Sequence, residues 1–213
     1  MKLGTTGKFS AFAAILAIAL TFTPGIGIAA AGGPMATVKS TVDRAMPILR
    51  DHQTPLAQRQ DALRKIIAAN FDFKEMSKSA LGRHWWEITP AQQGEFTKTF
   101  VAFIEDAYLS KINDFRAQNV TFLRMTRDSD DPNFAQVYTT VTQPDAEPIG
   151  INYRLLKEPN GAWRIYDVAV DAISIILNYR NQFNRVMNNQ GYGVLINDLK
   201  SKQAALATSL VNH

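Results

Sequence analysis

Apolar residues fall three or four apart through the first half of the chain, and from Asn119 onward the spacing drops to two. The first pattern is one face of a helix; the second is one face of a strand. Thr54-Pro55 predicts a capped start with proline at the first helical position, followed by Leu56, Leu63, Ile66 and Ile67 at helical spacing. Asp72 predicts the cap of a short helix over Phe73–Leu81, which Gly82 ends in a left-handed conformation. Thr89-Pro90-Ala91-Gln92 combines a capping box with an early proline, and opens a helix carrying Phe96, Phe100, Phe103, Ile104, Ala107, Tyr108 and Ile112. That stripe is wide and aromatic, with Glu95, Lys98 and Glu105 placed off it.

Four β-rich runs follow, over 120–126, 135–142, 149–156 and 163–170, separated by stretches rich in Pro, Asp, Asn and Gly. Connections that short force antiparallel neighbours. Helical spacing then returns with Ile176, Tyr179, Phe183 and Val186, breaks at Gly191 and Gly193, and resumes with Leu195, Ile196, Leu199 and Leu206. The predicted class is therefore α+β: a twisted four-stranded antiparallel meander with helices packed around it. No repeat or long linker divides it, so residues 32–213 read as one domain, helical over 34–115, sheet over 119–170 and helical over 173–210.

The fourth run is the unusual one. Under strict alternation Trp163 and Ile165 point one way while Tyr166, Val168 and Val170 point the other, so both faces are apolar. A strand of that kind needs cover on each side, from a thick core or from a bound apolar molecule. Periodicity does not separate the two.

The N-terminus reads as an export signal over residues 1–31. Lys2 and Lys8 precede an apolar run over 9–22, Pro24 and Gly25 end it, and Ala29-Ala30-Ala31 supplies small residues for cleavage. A run of 14 residues is short for a membrane span, which takes about 20. Cleavage would leave 182 of the 213 residues and, with two lysines gone, lower the formal charge from +4 to +2. So small a basic excess, with no basic stripe interleaved with aromatics, is no nucleic-acid footprint. The chain has no cysteine, hence neither a disulfide framework nor a lipid-attachment cysteine.

Catalytic signals are sparse. No Gly-rich phosphate loop, Gly-x-Ser-x-Gly elbow or paired-histidine metal motif is present, so no catalytic residue, metal or cofactor is assigned. His84, beside Trp85 and Trp86, and Asp167 are the acid–base pair an enzyme on this scaffold would use. The competing assignments are a structural histidine, and an Asp167 that pairs with an arginine such as Arg180 or bonds backbone. Asp171 is then the cap of the following helix.

Phe71-Asp-Phe73, Met76, Ala80-Leu-Gly-Arg-His-Trp85, Thr89-Pro-Ala-Gln-Gln93, Phe96, Tyr153-Arg-Leu, Trp163-Arg-Ile-Tyr-Asp-Val168 and Asn178-Tyr-Arg-Asn-Gln-Phe183 together resemble the MlaC family of periplasmic phospholipid-binding proteins, also called toluene-tolerance proteins. The likeness runs in order through the whole mature chain. It departs where the family has Val-Glu-Gly and this chain has Val170-Asp171-Ala172, which predicts a backbone there that does not need glycine. The resemblance implies a soluble, monomeric periplasmic carrier whose sheet and helices enclose an apolar cavity. Its expected partners are phospholipid cargo, an inner-membrane ABC transporter complex with a ring-forming lipid-binding subunit, and an outer-membrane lipoprotein–porin complex. Some relatives sit with hopanoid synthesis, which makes a hopanoid the alternative cargo. Inward spacing combined with the resemblance nominates Phe100, Phe103, Ile104, Tyr108, Ile149, Ile151, Tyr153, Trp163, Ile165, Val168, Val170 and Ile176 as the lipid-binding wall. Arg180 is the candidate for a phosphate contact.

Overall fold

The computed structural model describes residues 32–110, 112, 119–143 and 146–211; the expected signal over 1–31 lies outside them. Proline at the start of the first helix, α1 (Pro34–Arg50), fixes its first turn. The second, α2 (Leu56–Asn70), starts without a side-chain cap. Thr54 does not cap it as the sequence predicts, because its hydroxyl and amide are both donated to Asp51. Asp72 does cap α3 (Phe73–Leu81), accepting the Glu75 amide at 2.8 Å, and Gly82 ends that helix at φ 58°. A 3₁₀ turn over Gly82–Trp86 leads to α4 (Pro90–Leu109), where Thr89 and Gln92 complete the expected capping box.

The sheet has five strands, not four. β1 (Asn119–Arg127), β2 (Phe134–Gln143), β3 (Ala146–Lys157), β4 (Trp163–Val170) and β5 (Ile173–Ser174) lie in chain order, each antiparallel to the next. The extra strand arises because Val170 pairs with Ile173 across a two-residue turn in which Asp171 (φ 46°) and Ala172 (φ 66°) are both left-handed. Two positive φ values match the twist of a tight hairpin. The expectation for Ala172 is thus overturned: its backbone does adopt the conformation that favours glycine. Asp171 is not a helix cap either. Its carboxylate accepts the Gly150 amide at 2.9 Å, while Ser174 caps α5 (Ile175–Gln190) by accepting the Leu177 amide. Replacing Ala172 by glycine relieves left-handed strain of about 1 kcal/mol and gives back roughly half of it as chain entropy. A172G is expected to unfold at slightly higher urea concentration than the parent, with an unchanged m-value.

Strict alternation fails in β4. Arg154 pairs with Asp167 but Leu155 pairs with Ile165, so Tyr166 is an extra residue, a β-bulge. The bulge resets the parity. Trp163 and Ile165 before it, and Val168 and Val170 after it, all share the face that carries Leu155, Tyr153 and Ile151. This is the inner face. Its first half is packed solid: Val38 of α1 meets Val137, Leu155, Trp163 and Ile165. Phe71 forms a parallel bridge to Ile165 and the Asp72 amide donates to the Ile165 carbonyl at 2.8 Å, which docks the α2–α3 junction on the open edge of β4.

The helices carry a second core. Phe96, Phe100, Phe103, Tyr179 and Phe183 form a ring cluster with centroids 5.3–5.7 Å apart. Met76, Leu81 and Trp85, with Leu195 and Leu199 of α6 (Tyr192–Val211), surround it.

Candidate functional site

Between the sheet and the helices lie two apolar pockets that share a wall. The first, of about 210 Å³, is bounded by Phe73 and Met76 of α3, Phe100, Val101, Ile104 and Glu105 of α4, Val168 of β4, and Ile175 and Ile176 at the start of α5. The second, of about 370 Å³, runs between Val42, Met46, Leu49, Leu63 and Ile66 of the first two helices and Val120, Val141, Ile151 and Tyr153 of the sheet. Ile67, Phe71, Tyr108 and Leu109 line both. The two therefore adjoin across a septum of large side chains, and Phe71 in it is positioned by its bridge to β4.

Of the twelve residues nominated by the sequence, Phe100, Ile104, Tyr108, Val168 and Ile176 line the first pocket, and Ile151, Tyr153 and again Tyr108 the second. The other five line neither. Trp163 and Ile165 are buried in the solid half of the inner face, and Phe103 is buried against Tyr179. Val170 is 38% exposed beside the hairpin turn, and Ile149, paired with Val141, lies outside both linings. Burial pushes the Tyr153 phenol up to about 12 against a hydrogen bond with Thr139, and pushes Tyr108 up too. Both remain neutral dipoles, and Glu105 is the one carboxylate among the residues that line the first pocket.

The groups nominated for chemistry are committed elsewhere. His84 bonds the Glu87 carboxylate at 2.5 Å and the Asn184 side-chain oxygen at 2.9 Å, tying the 3₁₀ turn to α5. Asp167, 1% exposed, accepts the Ser174 hydroxyl at 2.6 Å and the Ile176 amide at 3.1 Å, with Arg154 at 3.4 Å. It anchors the start of α5. Arg180 is not its partner: the guanidinium donates to the Ser79 carbonyl, and its stem lies over Gly82. Among the described residues no group of three or more His, Cys, Asp or Glu could hold a metal, and no helix is long and apolar enough to cross a membrane.

Residues 39–201 match the MlaC protein family, well over half of the chain. The chain belongs to the MlaC family. The intermembrane phospholipid transport system binding protein MlaC of Haemophilus influenzae is 21% identical over 185 residues, which span 84% of this chain and 85% of that protein. The solved structure of the phospholipid-binding protein from Ralstonia solanacearum, in complex with a phospholipid, is 30% identical with a TM-score of 0.71, over 81% of this chain and 98% of that one. These MlaC-type relatives are named for binding and transport, and neither is named as an enzyme.

Within this MlaC fold the wall residues that sequence reasoning missed lie mostly on α1 and α2: Thr41, Val42, Ala45, Met46, Leu49, Leu63, Ile66 and Ile67. Their helical spacing is readable, but spacing is the same for a face that fills a core and one that bounds a void. Phe71, Phe73 and Met76 carry part of the family resemblance, and that was the available signal for them.

Proposed function

We propose that this protein is a periplasmic carrier that holds phospholipid acyl chains in the two adjoining pockets and passes the lipid between inner- and outer-membrane complexes. The observation that carries the reading is the pair of apolar pockets sharing the Phe71–Tyr108 wall, in a chain whose relatives include a phospholipid-bound structure. Exposing a diacyl lipid costs roughly 24 kcal/mol, from about 30 methylenes at about 0.8 kcal/mol each. A carrier must therefore keep the chains covered, and walls made mostly of Val, Ile, Leu, Met and Phe do this. The same chains are already dry in a membrane, so transfer into the protein gains little free energy. Direction then comes from the partner complexes on either side. The family resemblance supplies those partners, an ABC transporter complex and a lipoprotein–porin complex, and the role in outer-membrane lipid asymmetry. The export signal at the N-terminus accords with a periplasmic site of action, and the remaining 32–213 act as one lipid-binding domain.

Gentle native mass spectrometry of freshly exported protein, followed by organic extraction, tests the reading. A discrete mass increment and extractable phospholipid are expected. An empty protein that also takes no lipid from vesicles would overturn it.

A further inference from the structure

The face of the sheet away from both apolar pockets carries a row of side chains that the lipid site does not use. Thr126, Gln136, Arg154 and Asp167 are successive cross-strand partners on β1, β2, β3 and β4. Alternation sets them on the side opposite Val137, Tyr153 and Leu155. A recess of about 510 Å³ opens there, lined largely by polar groups: Thr126, Ser129, Gln136 and Arg154, with Asp128, Phe134 and Tyr166 beside them.

Arg154 has a side chain 36% exposed, and its position is fixed by Asp167, 3.4 Å from Nη1. That carboxylate does not use up the cation. Its closer partners are the Ser174 hydroxyl at 2.6 Å and the Ile176 amide at 3.1 Å, at the start of α5, where a helix end itself favours negative charge. Among the described residues the Arg154 guanidinium makes no hydrogen bond, and neither does the Gln136 side chain or the Tyr166 hydroxyl. Tyr166 is the extra residue of the β4 bulge, a distortion that re-aims a side chain. Burial raises its phenol, Arg154 lowers it, and Asp167, Glu75 and Asp128 raise it, so the hydroxyl stays a neutral donor near the guanidinium. The other charged groups of the recess are committed. Asp128 accepts the Asp130 and Asp131 amides at 2.8 and 3.1 Å, and the Arg127 guanidinium lies over the Trp163 ring.

We infer that this recess is a second binding site, which receives the carboxylate of a glutamate or aspartate from an acidic segment of a partner protein. Arg154 supplies the charge-assisted contact, and Gln136 and Tyr166 supply neutral donors. A single carboxylate fits better than a phosphate, because one guanidinium is uncommitted while Asp128 and Asp167 stand near it and repel a second negative charge. Phe134, edge-on to Tyr166 at 5.9 Å, adds apolar surface for the methylenes that carry a side-chain carboxylate. A bare inorganic anion has no use for that surface. The recess is separate from the lipid pockets, so the inference goes beyond the carrier reading and does not depend on it. A solely structural Arg154, holding Asp167, would affect stability and leave the recess indifferent to carboxylates.

The test titrates the exported protein with the peptide acetyl-Gly-Glu-Gly-amide and follows the arginine Nε–Hε signals by NMR. The Arg154 signal is assigned from its loss in Arg154→Lys. The glutamate peptide is expected to shift that signal saturably, and the matching glutamine peptide to leave it in place. Acetate and inorganic phosphate should each bind at least about fivefold more weakly than the glutamate peptide. Tyr166→Phe, which keeps the ring, and Gln136→Ala should each weaken the peptide about fivefold while leaving lipid uptake unchanged. The absence of a saturable shift would overturn the inference. Phosphate bound as tightly as the peptide would mean general anion attraction, and acetate bound as tightly would remove the partner segment; either overturns it. So would a peptide affinity unaltered in both variants.

Discussion

Val168→Glu and Ile151→Glu, one substitution in each pocket, are expected to leave a folded protein that no longer carries lipid. Val168 faces the first pocket and Ile151 the second, both on the inner face of the sheet. In the empty protein a glutamate at either position keeps its water. An acyl chain entering the pocket would strip that water and provide no hydrogen bond in return, at a cost of several kcal/mol. A loss of about 3 kcal/mol already lowers affinity more than a hundredfold. Native mass spectrometry should show the unliganded mass, with circular dichroism unchanged. Val170→Glu is the control: it lies on the same face, but is 38% exposed and lines neither pocket. Its lipid content should match the parent. Lipid retained in both pocket variants would remove the acyl chains from these pockets.

Phe100→Ala should act in the opposite way, through the fold. Phe100 is fully buried and meets three rings: Phe96 at 5.4 Å, Phe183 at 5.3 Å and Tyr179 at 5.6 Å. It joins α4 to α5 while its outer edge bounds the first pocket. Removing the ring forfeits about 3–5 kcal/mol of unfolding free energy, and the thermal midpoint should fall by about 10 °C. Thermal melts followed by circular dichroism would show it. A change below about 1 kcal/mol would mean that the cluster closes over the gap, contrary to the packing of interiors.

What the sequence made legible was what depends on near neighbours. The Thr89–Gln92 capping box, the Asp72 cap and the Gly82 stop are interactions within three or four residues, and all three are present. The five-strand count was not legible, because β5 exists only through the left-handed pair Asp171–Ala172, and alanine gives no notice of that conformation. Nor was the single inner face of β4, since an alternation rule applied across an extra residue assigns Trp163 and Val168 to opposite sides. Long-range pairing was harder still. Arg180 was a plausible partner for Asp167, yet it bonds Ser79, about a hundred positions away, while Asp167 serves the helix that follows it. Nominated residues line the pockets on α4, β3, β4 and α5, where the aromatic and β-branched runs stand out, and the linings from α1 and α2 were not nominated.

The extra residue at Tyr166 also bears on the shape of the site. In this sequence the bulge puts Val168 and Val170 on the same side as Trp163 and Ile165. It also adds curvature, because a bulged strand bends and twists more sharply than a regular one. β1 carries a similar irregularity at Leu123, and the β2–β3 register slips again beyond Val141. Three irregularities of this kind bend the sheet beneath the helices that lie over its inner face. Deleting Tyr166 would therefore straighten β4 while leaving every residue that lines the two pockets in the chain.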